Sequence, residues 1–330
     1  MKNLAVRAAS GLVFVTLMVV GILFNQWTYL LIMGGVLLGS LHEFYSVTKP
    51  HREAPLFRPA QKWSLIALLM GVFLVSYLLV SPPVRYLPDT GNLAKAFFQI
   101  LWMQRDGALT MNVLVPGLIF ILFAMELFTK HEKPFVNIGW NLVAVTYLLV
   151  PLVLTNKIFF EKGGVFLLTV FCIIWLYDSA CYVVGSAVGK TPLLPRVSPK
   201  KTLEGLAGGA IITLVAVYFI TPFIPSIEDA VRGFMDDSTV QHVAATPALS
   251  AIEWTILALV IIKFATLGDL VESLLKRSMN VKDSGSIMPG HGGFLDRFDA
   301  YFLTVPFIAL MLWIFGQVSN LMSLLQFMKG

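Results

Sequence analysis

Apolar residues in this chain are gathered into runs of about 15 to 25 positions, and the charged residues fall mainly in the short stretches between them. Runs of that length match a hydrocarbon layer of about 30 Å crossed by α-helices. A helix satisfies every backbone N–H and C=O within its own segment, as the bilayer interior requires. With interfacial aromatic residues as end markers, the pattern predicts spans near 8–24, 27–41, 63–80, 113–128, 140–155, 163–188, 203–222, 252–267 and 301–326. Several of these cores are short, which implies tilt, local thinning of the bilayer, or polar end turns buried in protein. The expected fold class is therefore all-α: a polytopic integral membrane protein with about nine transmembrane helices.

Composition narrows the picture. Across 330 residues, 57% are hydrophobic and 13% charged, about half the charged fraction of a soluble domain. That excludes an ordinary soluble enzyme, and the abundance of Leu, Ile, Val and Phe excludes disorder. The first apolar run follows a basic leader, as in a secretory signal, but no A-x-A-like cleavage site follows it, so a retained first span is expected. Cys172 and Cys181 lie nine positions apart in one apolar run, on opposite faces of a helix. They are read as small buried hydrophobes, neither a disulfide nor a metal pair.

Lysine and arginine are counted against the predicted spans because cytoplasmic loops carry the excess. With the N-terminus inside, sixteen fall in inside segments and seven in outside ones. The polar segments 189–202 and 268–300 then share the cytoplasmic face. The net charge of +5 is accounted for by this bias, so nucleic acid is not an expected partner. The outside segments 81–112 and 223–251 read as surface excursions. The second, with Glu228, Asp229, Asp236 and Asp237, is read as a solvated loop.

Asp178 is the first residue that hydrophobicity does not explain, since an acid inside a span costs about 2.5–3.5 kcal/mol on insertion scales. In the run from Asp178 to Lys190, the positions Asp178, Tyr182, Gly185, Ser186 and Gly189 recur at helical spacing. They form either a packing stripe or the wall of a site. GSAVGKT at 185–191 is one residue short of a phosphate-binding loop and follows a helical run rather than a strand, so that reading is rejected. After Gly189 come Lys190, Arg196, Ser198, Lys200, Lys201 and Thr202, a cluster of cations and hydroxyls. A second cluster follows at Gly268, Asp269, Glu272, Ser273, Lys276 and Arg277, along one side of an amphipathic continuation of the eighth span. Between 282 and 299, Lys282, Asp283, Asp296, Arg297 and Asp299 alternate with Gly285, Pro289, Gly290, Gly292 and Gly293 around His291. Glycines allow close backbone approach. Interleaved acids and cations suit a divalent metal beside phosphate oxygens, although a tight structured turn has the same composition.

The residues from Ser273 to Asp299, S-L-L-K-R, four residues, then K-D-S-G-S-I-M-P-G-H-G-G-F-L-D-R-F-D, resemble the signature of the CDP-diacylglycerol synthases, or phosphatidate cytidylyltransferases. Met288 stands where that family usually has Leu, Ile or Phe. The stretches D-S-A-C-Y-V-V-G-S-A-V-G-K and S-P-K-K-T-L-E-G, from Asp178 to Gly205, are similar to further family motifs, with Leu203 at a usually aromatic position. Residues 1–162 then hold N-terminal transmembrane helices and 163–330 the catalytic transmembrane region, within one integrated membrane domain.

The resemblance implies transfer of a cytidylyl group from CTP to phosphatidate, giving CDP-diacylglycerol and pyrophosphate, with Mg²⁺ as one or two ions, the second of which can be monovalent. It implies a multi-pass protein of a bacterial inner membrane, with N-terminus and active site cytoplasmic, in a fold compatible with a homodimer. Asp269, Asp296, Asp283 and Asp178 are the expected metal ligands. Lys276, Arg277, Lys282, His291 and Arg297 are the expected catalytic residues, and Ser198, Lys200, Lys201, Thr202 and Ser273 the expected substrate contacts. The rivals are a cation-coupled transporter with Asp178, Lys263 and Asp269 on its pathway, and another lipid-phosphate transferase such as a CTP-dependent polyprenol kinase. The transporter leaves the glycine-rich alternation after Lys282 unexplained, and no pair of matching broken segments marks the two halves.

Overall fold

The computed structural model describes residues 2–49, 59–80, 113–128, 133–234, 249–285, 287 and 292–327. They form α1 (Lys2–Leu23), α2 (Gln26–Val47), α3 (Pro59–Val80), α4 (Val115–Leu127), α5 (Pro134–Ala144) and α6 (Val150–Val188). A two-stranded hairpin, β1 (Pro192–Leu194) and β2 (Ser198–Thr202), leads into α7 (Leu203–Ile220). Then follow α8 (Ile224–Phe234), α9 (Ala251–Ser278) and α10 (Leu295–Phe327). Among the described residues six helical stretches are long and apolar enough to cross a membrane, with two shorter apolar helices at Ala9–Leu23 and Val115–Leu127. The nine predicted stretches lie on helices except at end residues such as Phe24 and Phe128, and the stretch Pro134–Val188, counted once among the six, holds two of them. The segment 81–112 lies outside the described residues.

The described residues divide into two units. The first comprises 2–164 and 276–298, the second 165–234, 249–275 and 299–327.

In the first unit α2 supplies the central stripe. Tyr29, Met33, Val36, Leu37, Leu41 and Phe44 recur at helical spacing and are buried. The turn from α1 is fixed by Asn25, whose side chain accepts from the N–H groups of Trp27 and Thr28, while Thr28 Oγ1 accepts from Asn25 N. That reciprocal cap satisfies donors at the start of the helix. Tyr29 stacks on Phe159 at 3.7 Å between ring centroids, and its hydroxyl donates to Asn156 Oδ1 at 2.8 Å. Asn156 Nδ2 donates to Ser76 Oγ at 2.9 Å, so this buried amide has partners on α2 and α3. Between α5 and α6 a π-helical turn at Val145–Leu149 precedes Pro151, which has no N–H to continue the ladder. Within α6, Gly163 at φ 86° and ψ 169° breaks the helix, separating the spans predicted at 140–155 and 163–188.

In the second unit Leu257, Ala258, Ile261 and Ala265 form the buried face of α9. Phe171 stacks on Tyr301 at 4.2 Å, and Phe264 stacks on Phe307. Gly268 lies against α10: a Cβ there would stand 2.6 Å from the carbonyl oxygen of Asp299.

One short element was not anticipated, and two local expectations are corrected. Residues 192–202 form an antiparallel hairpin within the otherwise helical chain, turned by a Val197 N–H donating to Leu194 O at 3.0 Å. Residues 224–234 are a helix rather than solvated loop, with Ile224, Ile227 and Val231 at helical spacing and Asp229 on the opposite side; Asp236 and Asp237 lie outside the described residues. Both cysteines are free, but Cys172 is exposed and Cys181 half-buried, so only Cys181 approaches the buried role expected of both.

Candidate active site

In the first unit the chemistry gathers where the last turn of α9 and the first turn of α10 meet the segment between them. The end of α9 is closed by Asn280, at φ 55°, with Asn280 N donating to Arg277 O and Val281 N to Lys276 O. Lys276 Nζ then lies 2.7 Å from Asp296 Oδ1, the two side chains 18% and 8% exposed. The other oxygen, Oδ2, accepts from Ser284 N at 3.0 Å, Ser284 Oγ at 3.0 Å and Gly293 N at 2.9 Å. One carboxylate in the first turn of α10 thus gathers an ammonium, a hydroxyl and two backbone donors, and the helix N-terminus adds favourable potential for the anion.

The glycines have a definite cause here. Gly292 has φ +84°, and a Cβ on it would stand 2.6 Å from Asp296 Oδ2; one on Gly285 or Gly293 would overlap the carboxylate of Glu43. The close approaches anticipated from the sequence are made to protein carboxylates.

Glu43 was not anticipated. It is 3% exposed and accepts from Phe294 N, Leu295 N and Ser284 Oγ, each at 3.0 Å. The available signal was the one that drew notice to Asp178, an acid beside an apolar run, but the predicted span ended at 41. Ser284 was likewise passed over inside its motif. Arg277, Lys282, Asp283 and Arg297 are exposed, and His291 lies outside the described residues.

In the second unit the ammonium of Lys201 pairs with Asp269 Oδ2, and Ser273 Oγ donates to Asp269 Oδ1 at 3.3 Å. Cys181 lies within electrostatic reach of Asp178, Lys201 and Asp269, which brings Asp178 into the same locality, although its own side chain is exposed. The hairpin presents Lys200 exposed and Ser198 half-buried. Thr202 caps α7, its hydroxyl accepting from Gly205 N at 3.2 Å. Gly185, Gly189 and Gly205 crowd around that threonine; a Cβ on Gly205 would stand 3.0 Å from its Oγ1. Glu204, also missed, accepts from the backbone N–H groups of Lys190 and Thr191 at 3.1 Å, tying the end of α6 to the start of α7. Tyr182 is 77% exposed, so the small-residue stripe predicted on α6 divides, its glycines inward and its tyrosine outward.

Of the four predicted metal ligands, Asp269 and Asp296 each hold a lysine, while Asp178 and Asp283 are exposed. Among the described residues no three His, Cys, Asp or Glu side chains gather as a metal-donor group.

The sequence profile described as the Cytidylyltransferase family matches residues 5–315. A phosphatidate cytidylyltransferase of Bacillus subtilis (strain 168) is 32% identical over 220 residues, covering 66% of this chain and 74% of that protein. Proteins of the same name from Staphylococcus saprophyticus and Staphylococcus aureus (strain COL) are 30% and 29% identical over 254 and 257 residues, each covering 75% of this chain and 88% of the relative. With the profile spanning nearly the whole sequence, the chain belongs to the Cytidylyltransferase family.

Proposed function

We propose that this protein is a phosphatidate cytidylyltransferase that converts CTP and phosphatidate to CDP-diacylglycerol and pyrophosphate. The observation that carries the reading is the Asp296 cluster. A carboxylate, an ammonium and a glycine-bounded backbone are held together in the signature segment of a chain whose relatives bear that name.

A phosphate monoester has its second pKa near 6, so phosphatidate is largely dianionic at neutral pH and needs no general base. One of its oxygens forms a bond to the α-phosphorus of CTP. The bridging bond from that phosphorus to the β-phosphate oxygen breaks, and pyrophosphate leaves with the electron pair. The obstacle is repulsion between two polyanions, so alignment and charge neutralisation are the work of the protein. Lys276 and Lys201 are the partly buried cations for this, and Arg277, Lys282, Arg297 and Lys200 are exposed cations suited to phosphate oxygens.

The donor chemistry fits Mg²⁺ at Asp269 and at Asp296: both are hard oxygen donors, and each already draws a positive charge. When bound, the ion would neutralise phosphate charge. Asp296 has the more constrained carboxylate and Asp269 the more accessible one.

The chain is a multi-pass membrane protein with bacterial relatives. The lysine and arginine bias supports an inner-membrane protein with its N-terminus and motif segments on the cytoplasmic side, where CTP is found. The test is pyrophosphate release and CDP-diacylglycerol formation by detergent-purified protein given CTP, phosphatidate and Mg²⁺. Asp296→Ala and EDTA are expected to silence both. Absence of product from the active-lipid mixture overturns the reading.

A further inference from the structure

Glu43 stands out as a buried acid to which no role in the transfer has been given. It lies one turn before the end of α2, and its partners stand 241 to 252 positions later in the chain. Oε1 takes the N–H of Phe294, while Oε2 takes the N–H of Leu295 and the hydroxyl of Ser284. The first two donors are unsatisfied groups at the start of α10, so α2 caps that helix from a distance. The surrounding surface is shaped for the contact. A Cβ at Gly39, one turn earlier on α2, would collide with the Phe294 ring, and Gly285 and Gly293 back onto the Glu43 carboxylate.

A carboxylate at 3% exposure is costly unless hydrogen-bonded. Three converging donors supply that compensation, and they explain why an acid rather than an amide is needed. Either orientation of a glutamine would aim its NH₂ group at the N–H of Phe294 or of Leu295. Ser284 Oγ, at 3.0 Å from Glu43 Oε2, is also 3.0 Å from Asp296 Oδ2, so the two carboxylates share one hydroxyl, whose single proton serves one of them at a time.

We infer that Glu43 is a positioning residue for cytidylyl transfer: it fixes Ser284 and the first turn of α10, and so holds the Asp296 carboxylate in place for Lys276 and for a divalent cation. The inference rests on the proposed reaction, and Glu43 acts through Ser284 and Asp296 without touching substrate.

The experiment compares full-length wild type with Glu43→Gln, Ser284→Ala, the double variant, and Tyr29→Phe. The last removes a buried hydrogen bond elsewhere on α2. Each is assayed for thermal midpoint, for pyrophosphate release as Mg²⁺ and CTP are varied, and for hydrogen exchange over the peptide spanning 284–296. Glu43→Gln is expected to raise the Mg²⁺ concentration for half-maximal rate about tenfold, the effect of losing one charge-assisted hydrogen bond, and to speed exchange in that peptide. The double variant is expected to be little worse than Glu43→Gln alone, because both changes interrupt one path. Tyr29→Phe lowers the thermal midpoint and leaves the Mg²⁺ curve in place. An unmoved Mg²⁺ curve in Glu43→Gln, or an equal shift in Tyr29→Phe, overturns the inference. If Glu43→Gln does not fold, Ser284→Ala must shift the curve by itself, and an unshifted curve there overturns it equally. A wild type that makes no CDP-diacylglycerol defeats the reaction assignment instead, and the hydrogen-exchange comparison then decides whether Glu43 holds the segment.

Discussion

Lys276 and Asp296 form an ion pair at 2.7 Å in which one carboxylate oxygen takes the ammonium while the other is held by Ser284 and by Gly293 N. Removing the ammonium leaves a carboxylate 8% exposed without its counter-charge. Lys276→Ala is therefore expected to destabilise the folded protein by about 3 kcal/mol, the lower part of the range for a broken buried pair. Neutralising both partners, as Lys276→Met with Asp296→Leu, is not expected to restore stability, since Ser284 N and Gly293 N then lose their acceptor. Thermal unfolding in detergent checks both, and a fully restored midpoint in the double variant would show that the carboxylate serves the lysine alone.

The glycines of the same segment make a steric prediction. Gly292→Ala meets a positive φ and a carboxylate oxygen 2.6 Å from the new Cβ, so a loss of about 1–3 kcal/mol is expected. Gly293→Ala pushes directly on Glu43 and is expected to lose activity as well. Gly316, in α10 with open space around its Cα, is the comparison: alanine there is expected to be neutral or stabilising by up to about 1 kcal/mol. The three thermal midpoints, measured side by side, distinguish a crowded backbone from a general intolerance of substitution.

The sequence pattern located the helices well because a membrane selects long apolar runs, and the glycines after Lys282 did mark close approach. What they approach was hidden. Glu43 is joined to its partners across more than 240 positions, a pairing with no periodicity to reveal it, and beside His42 at the end of a span it resembles an ordinary interfacial acid. Thr202 was anticipated as a substrate contact because it ends a basic cluster. Its hydroxyl caps α7, a role that Thr202 ahead of an apolar run with Glu204 in the first turn does signal, but the neighbouring lysines drew the reading toward substrate. The helix at 224–234 was legible in principle, but its four acidic neighbours in the wider segment outweighed the apolar spacing. The extent of the hairpin could not be read from hydrophobic alternation, because β2 carries Ser198, Lys200, Lys201 and Thr202 on both of its faces.

Glu204 makes a kinetic prediction. It holds the N–H groups of Lys190 and Thr191 and thereby anchors the hairpin bearing Lys200 and Lys201. Glu204→Ala is expected to leave the thermal midpoint nearly unchanged while raising the KM for CTP several-fold by loosening those cations. Hydrogen exchange over 190–202 is expected to accelerate. A KM unchanged alongside faster exchange would place the hairpin cations outside the nucleotide contact.

Lys201 yields the prediction in which two measured quantities move in opposite directions. Its ammonium pairs with Asp269 Oδ2, with the side chains 23% and 30% exposed, so water and ions reach the pair more readily than they reach Lys276 and Asp296. If Asp269 holds a divalent cation in turnover, the ammonium competes with that ion for one carboxylate. Removing it by Lys201→Gln then lowers the Mg²⁺ concentration needed for half-maximal rate. The same change deletes a cation suited to phosphate, so the KM for CTP rises. Pyrophosphate release measured across a grid of Mg²⁺ and CTP concentrations separates the two effects. A rise in both quantities would mean that Lys201 supports the metal position rather than competing for it, and that Asp269 needs the ammonium to keep its orientation.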